Sequence, residues 1–244
     1  MEATEDEINA GEPEPVGWQP MVPAGVDFTG TRRLCSDVLR ALPVHGAAVS
    51  VRGNGEAVAL LHATDAVITR LDDLQFVLGE GPCRDAYRLR APVLEPDLTS
   101  QAAGLRWPMF GREAAAAGAA AVFAFPLQIG AVPFGVLELY RNEPGQLTED
   151  ELAAAVLLVD TAGRLVLADV AGLTSGAGEP APVFGREEIP IATGVIAAQL
   201  GVSTSQALIE LRAAAFSANR PIIDVAADVL NGRINFSPSR PPTA

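Results

Sequence analysis

Apolar positions along the chain change their period several times, and each change marks an element. From Phe28 the residues Leu34, Val38, Leu39 and Leu42 recur at helical spacing, and Pro43 stops the run, which predicts a first helix. Two short apolar runs follow, Ala47 to Arg52 and Ala57 to His62, separated by Gly53-Asn54-Gly55-Glu56, a hairpin signal. Asp65 to Leu74 returns to helical spacing through Val67, Ile68, Leu71 and Leu74. Gly79-Glu80-Gly81-Pro82 then forces a loop before a short helix over Cys83 to Leu89, and Val93 to Glu95 reads as a strand. An Ala-rich helix is expected over Trp107 to Gly118, then a second hairpin of Ala121 to Ile129 and Phe134 to Tyr140 around Gly130-Ala131.

The rest of the chain is helical in pattern. Thr148 and Glu151 form a capping box, in which hydroxyl and carboxylate satisfy each other's backbone donors. Behind it Leu152, Val156, Val159, Gly163, Val166, Val170 and Leu173 alternate at spacings of four and three, the seam of a two-stranded coil, so a homodimer is expected. Thr174 to Pro182, rich in Gly, Ala and Pro, reads as a linker. Beyond it Ile189, Ala192, Val195, Ile196 and Leu200 mark one helix closed by Gly201. Ser203 with Gln206 caps a second, carrying Ala207, Leu208 and Leu211, and Pro221 suits the first position of a third, with Ile222, Val225, Ala226, Val229 and Leu230 inward. The expected fold class is α+β: an antiparallel sheet flanked by helices, a long linking helix, and a small all-α three-helix domain. The expected divisions are an acidic disordered arm over 1–26, a first domain over 27–173, a linker over 174–182, a helical domain over 183–236, and a tail over 237–244.

Composition narrows the function. The 244 residues include 49% hydrophobic ones, enough for one medium core and a small second one. No apolar stretch approaches the roughly 20 residues of a membrane span, and Met1 to Pro20 is acidic where a secretory signal would be basic, so a cytoplasmic location and no membrane partner are expected. Cys35 and Cys83 show no ligand or disulfide spacing, and neither a metal nor a cofactor is expected. The net charge of −13 repels polyanions at long range, so nucleic-acid binding must come from a local basic face.

Two groups of motifs resemble known families. Leu78-Gly79-Glu80-Gly81-Pro82-Cys83, Phe125-Pro126-Leu127 and Gly135-Val136-Leu137-Glu138-Leu139-Tyr140 resemble the GAF domains of bacterial regulators. Ala192-Thr193-Gly194, Gln199-Leu200-Gly201-Val202-Ser203, Ala207-Leu208, Leu211-Arg212 and Asp224-Val225-Ala226 resemble the ANTAR domain. The resemblance spans roughly Asp27 to Phe236, and its specificity comes from the motifs occurring in order. It implies a GAF-type sensory domain controlling a module that binds RNA hairpins as a dimer and prevents terminator formation. The RNA contacts it implies are Arg212, Arg220 and Arg233, with Thr193 standing where many ANTAR helices carry Lys. Between Val183 and Phe236 the arginines 186, 212, 220 and 233 face five acids, Glu187, Glu188, Glu210, Asp224 and Asp228, so the segment is near neutral.

Other chemistries are open to the same residues. Ala197 and Gly201 have helix-turn-helix spacing, which would make Ser203 to Ser217 a DNA recognition helix, although it offers Arg212 alone among basic residues. Some GAF-fold proteins reduce methionine sulfoxide through cysteines, and Cys83, after Gly81-Pro82 and beside Arg84, is the candidate; the expectation is that it is a buried hydrophobe and the chain is not an enzyme. His45 and His62 lack a second ligand at a recognisable spacing. A GAF-type small-molecule pocket would draw its walls from Phe76, Trp107, Phe123 and Phe125, which otherwise fill the core.

Overall fold

The structure is a computed structural model that describes residues 28–52, 58–174 and 188–236. The expected arm, the first hairpin's turn, the linker beyond Thr174 and the tail lie outside the described residues. Five antiparallel strands form one sheet in the order β2-β1-β5-β4-β3: β1 Gly46–Arg52, β2 Val58–Ala63, β3 Val93–Glu95, β4 Ala121–Ile129 and β5 Val132–Arg141. Alternation, interrupted by register shifts at Val49/Ser50 and Leu127/Gln128, sorts side chains between its faces. Ala47, Val49, Phe123, Phe125, Leu127, Leu137 and Leu139 build one core beneath α1 (Thr29–Ala41) and α6 (Glu149–Thr174). Their neighbours Ala48, Val122, Ala124, Val136 and Tyr140 build the other, beneath α2 (Ala66–Leu78), α3 (Pro82–Leu89), α4 (Gln101–Arg106) and α5 (Phe110–Ala116).

Helices α1 and α6 are pinned by two devices. No side chain of its own caps α1; instead Asp169 of α6 accepts from the Thr31 backbone N–H at 2.7 Å and from the Thr31 hydroxyl at 2.9 Å. Gly30 allows the approach, since a Cβ there would lie 2.8 Å from the Leu165 Cβ and 2.9 Å from its carbonyl oxygen. The capping box at the start of α6 is present as the sequence predicts, with the Glu151 carboxylate accepting from the Thr148 N–H at 2.8 Å and the Thr148 hydroxyl oxygen from the Glu151 N–H at 3.3 Å.

The run over Trp107 to Gly118 shortens to α5, and a separate short helix, α4, precedes it where none is predicted; between them Trp107, preceding Pro108, stands outside helical conformation at φ −136°, ψ 79°. Ser100 starts α4, its hydroxyl oxygen accepting from the Ala103 N–H at 3.0 Å.

The remaining helices, α7 (Glu188–Leu200), α8 (Thr204–Ser217) and α9 (Ile222–Leu230), enclose a small core of Ile189, Ala192, Ile196, Ala207, Leu211 and Val225. The Ser203–Gln206 capping box opens α8, and Pro221 is the N-cap of α9, one position earlier than the pattern predicts. This core is not closed on itself. Phe76 and Val77, from the last turn of α2, are buried in it.

The seam expected along α6 is corrected by its packing. Val166 is fully buried, and Leu152, Val159 and Val170 are packed against the α1-side core, so the heptad-like stripe is the face α6 lays on its own domain. Among the described side chains of the seam Val156 alone is markedly exposed, at 47%; Leu157 and Leu165, outside the seam, join it at 66% and 45%.

Candidate functional site

The loop between α2 and α3 shapes a strongly charged hollow on the α2-side face. Gly79 ends α2 in the left-handed region at φ 72°, Gly81 takes φ 134°, and Pro82 begins α3. A side chain at Gly81 would collide with Gln75, whose atoms lie 2.4–2.8 Å from the Cβ position. Gln75 needs that space. Its Oε1 accepts from the Cys83 N–H at 2.7 Å, and its amide donates to Glu138 Oε1 at 2.7 Å, tying α2, α3 and β5 together.

A cleft of about 460 Å³ opens above this clamp, within the size range of small-molecule sites. Arg52 enters from the end of β1, Arg84 and Tyr87 from α3, and Arg106 and Trp107 from the end of α4. The two carboxylates at its edge are committed. Glu80 Oε1 accepts from the Met109 and Phe110 N–H groups at 2.7 and 2.8 Å, capping α5 from outside. Asp85 accepts from Arg88 at 2.8 Å, Arg106 at 2.9 Å and the Trp107 indole at 3.2 Å. Among the described residues no carboxylate ion-pairs with Arg52 or Arg84. The Arg52 guanidinium lies 4.9 Å above the Tyr87 ring, and burial, then the like charge of Arg84, lower its pKa from the ordinary value.

Behind the cleft lies a buried polar cluster. Glu138 sits where the alternation of β5 points into the α2-side core; burial, then the charge of Asp72, push its carboxyl up to about 8. Cys83 is also buried, and burial, then the carboxyls of Glu138 and Asp72, push its thiol well above the ordinary value. That is the reverse of the electropositive setting that makes a thiolate. His62 is lowered by burial, then by Arg32, and His45 accepts from the Asn142 N–H at 3.4 Å. Among the described residues no three His, Cys, Asp or Glu side chains gather as a metal site.

The four aromatics expected to wall a pocket do not share one. Phe123 and Phe125 lie on the opposite, α1-side face, Phe76 is in the C-terminal core, and Trp107 alone reaches the cleft. Of the residues linked to RNA by resemblance, Arg212 stacks over the Phe76 ring at 5.2 Å, with its Nη1 3.9 Å from the Cβ position of Gly79. Thr193 is buried, its hydroxyl donating to the Ile189 carbonyl at 2.6 Å, so it presents nothing on the helix surface. Arg220 and Arg233 are exposed and share Asp228, at 2.8 and 2.6 Å. Sequence reasoning missed Arg52, Arg106, Gln75 and Glu138; the register of β5 marks Glu138 as a carboxylate at an inward position, whereas the arginines converge from distant segments.

A five-stranded antiparallel sheet covered by helices on both faces, with a charged cleft at one end of a face, is a sensory-type α+β architecture. Residues 31–166 match the family model of the GAF domain, and the chain belongs to the GAF family. Similar solved structures include the GAF domain/HD domain protein from Geobacter sulfurreducens, 16% identical, covering 60% of this chain and 95% of that one with a TM-score of 0.46. Others are the GAF domain of a phosphoenolpyruvate-protein phosphotransferase from Coxiella burnetii (17% identity, 59% and 85% coverage, TM-score 0.45) and a type II free methionine-R-sulfoxide reductase from Thermoplasma acidophilum (15%, 58% and 92%, TM-score 0.42). No curated protein matches the chain. Among the described residues no helix is long and apolar enough to cross a membrane.

Proposed function

We propose that the chain is a cytoplasmic, signal-responsive regulator of gene expression, in which the GAF domain controls the α7–α9 bundle as an ANTAR-like module that binds RNA hairpins and acts in transcription antitermination. The observation that carries this reading is the joint between the two halves. Phe76 and Val77 of α2 are buried in the bundle core, and Arg212 of α8 lies on Phe76, next to Gly79 at the cleft's edge. A change in the cleft therefore reaches the bundle through the end of α2. Arg220 and Arg233 form the standing electropositive contact, held side by side on Asp228, while Arg212 is withheld until α8 leaves α2. A homodimer built on the outward face of α6 doubles this small footprint.

The test is hairpin binding by the full chain across a salt series. Two arginines from each of two protomers give a log–log slope of about −3, on a cost of about 0.7 to 0.9 per neutralised phosphate. Arg220→Ala with Arg233→Ala abolishes that slope. Absence of hairpin binding at low salt in a confirmed dimer, or a shift with duplex DNA only, overturns the RNA reading. The DNA alternative is disfavoured by Arg212, the one basic residue of α8, being turned onto α2.

A further inference from the structure

Charge accounting in the cleft leaves a surplus. Arg88 and Arg106 are matched by Asp85, and Glu80 is occupied by the backbone of α5. Arg52 and Arg84 remain, close enough to oppose each other's charge; Asp72, on the protein side, offsets part of this at Arg52, and a net positive charge is left over. Two partly buried like charges repel, and the arrangement is costly unless an anion lies between them. Guanidinium groups offer planar forks of donors that match carboxylate and phosphate oxygens. Beside them the aromatic side chains of Tyr87 and Trp107 line the cleft, with the Arg106 guanidinium 4.6 Å over the Trp107 ring.

We infer that this cleft binds a small organic anion, a carboxylate or phosphate bridging Arg52 and Arg84 with its apolar body against Tyr87 and Trp107. The inference rests on reading the GAF domain as the sensory half, and it names the chemical class of the signal. Arg52 closes the outer face of Tyr87 and Arg84 stands on the same helix, so an anion drawing the two together also pulls α3 toward β1. Gly79 and Glu80 belong to the same rim, so that movement is felt at the end of α2.

The experiment uses the full chain carrying Trp18→Phe, which leaves Trp107 as its sole tryptophan. Its emission is titrated with 2-naphthoate, 2-naphthyl phosphate and neutral 2-naphthol. At least one anion saturates, and 2-naphthol binds at least about tenfold more weakly, the worth of one charge-assisted hydrogen bond. Arg84→Gln and Arg52→Gln each weaken the anion by about tenfold, while Arg112→Gln, an exposed charge on α5, leaves it unchanged. The ratio of the two anions assigns the headgroup. Thermal midpoints of every variant confirm folding, and Arg84→Gln carries the test if Arg52→Gln unfolds. Neither anion saturating up to about 5 mM, 2-naphthol binding equally well, or Arg84→Gln binding undiminished overturns the inference. Because the readout needs no RNA, its failure is distinguishable from failure of hairpin binding.

Discussion

Glu138 is a carboxyl buried in the α2-side core, where Gln75 ties it to α2 and α3. Its pKa is raised from an ordinary 4.5 to about 8, so folded chains keep the proton through a range in which unfolded chains have lost it. Unfolding then releases a proton, and stability falls as pH rises from about 4.5, levelling beyond about 8. Glu138→Gln keeps the acceptor for Gln75 and removes the titration. Urea midpoints measured at about pH 6 and about pH 8 should drop for the parent chain and drop less for this variant; equal drops would show that Glu138 is not the source. At Gly81 the expectation is steric: Gly81→Ala places a methyl on Gln75 in a backbone conformation L residues avoid, at a cost of about 1–3 kcal/mol in chemical denaturation.

Elements were legible where one face decides burial. The alternation of β4 and β5 identifies both strands because their odd and even residues serve different cores, and the capping boxes of α6 and α8 are local hydrogen-bond patterns that distance along the chain cannot disturb. The partner of α6 was not legible. A stripe at spacings of four and three fits a second helix, yet here it fits the groove between α1 and the sheet, and the pattern carries no label for which surface it meets. The exposed set is Val156, Leu157 and Leu165. Leu157→Glu should therefore dissociate a dimer, read by sedimentation, with little change in thermal midpoint, whereas Val166→Glu should unfold the domain. The arginine cleft was illegible for another reason: its residues come from β1, α3 and α4, and no local period joins them.

At the scale of the molecule, the joint between α2 and the bundle sets how the halves communicate. Phe76→Ala removes the ring that Arg212 covers and a wall of the small core, costing about 3 kcal/mol or more. It should also raise hairpin affinity relative to Arg212→Ala, since only the former releases the guanidinium; equal affinities would show that Arg212 plays no part in binding. The last turn of α2 has a wider consequence. Leu74 faces the sheet-side core, Gln75 the β5 carboxyl and Phe76 and Val77 the bundle, so this turn keeps no side for water. A fragment ending at Thr174 would bare an aromatic and a valine side by side and should self-associate. Exchange of sensory halves between relatives is constrained in the same way: a transplanted domain must bring a helix end whose shape fits its new neighbour, so the two halves are bound to diverge together.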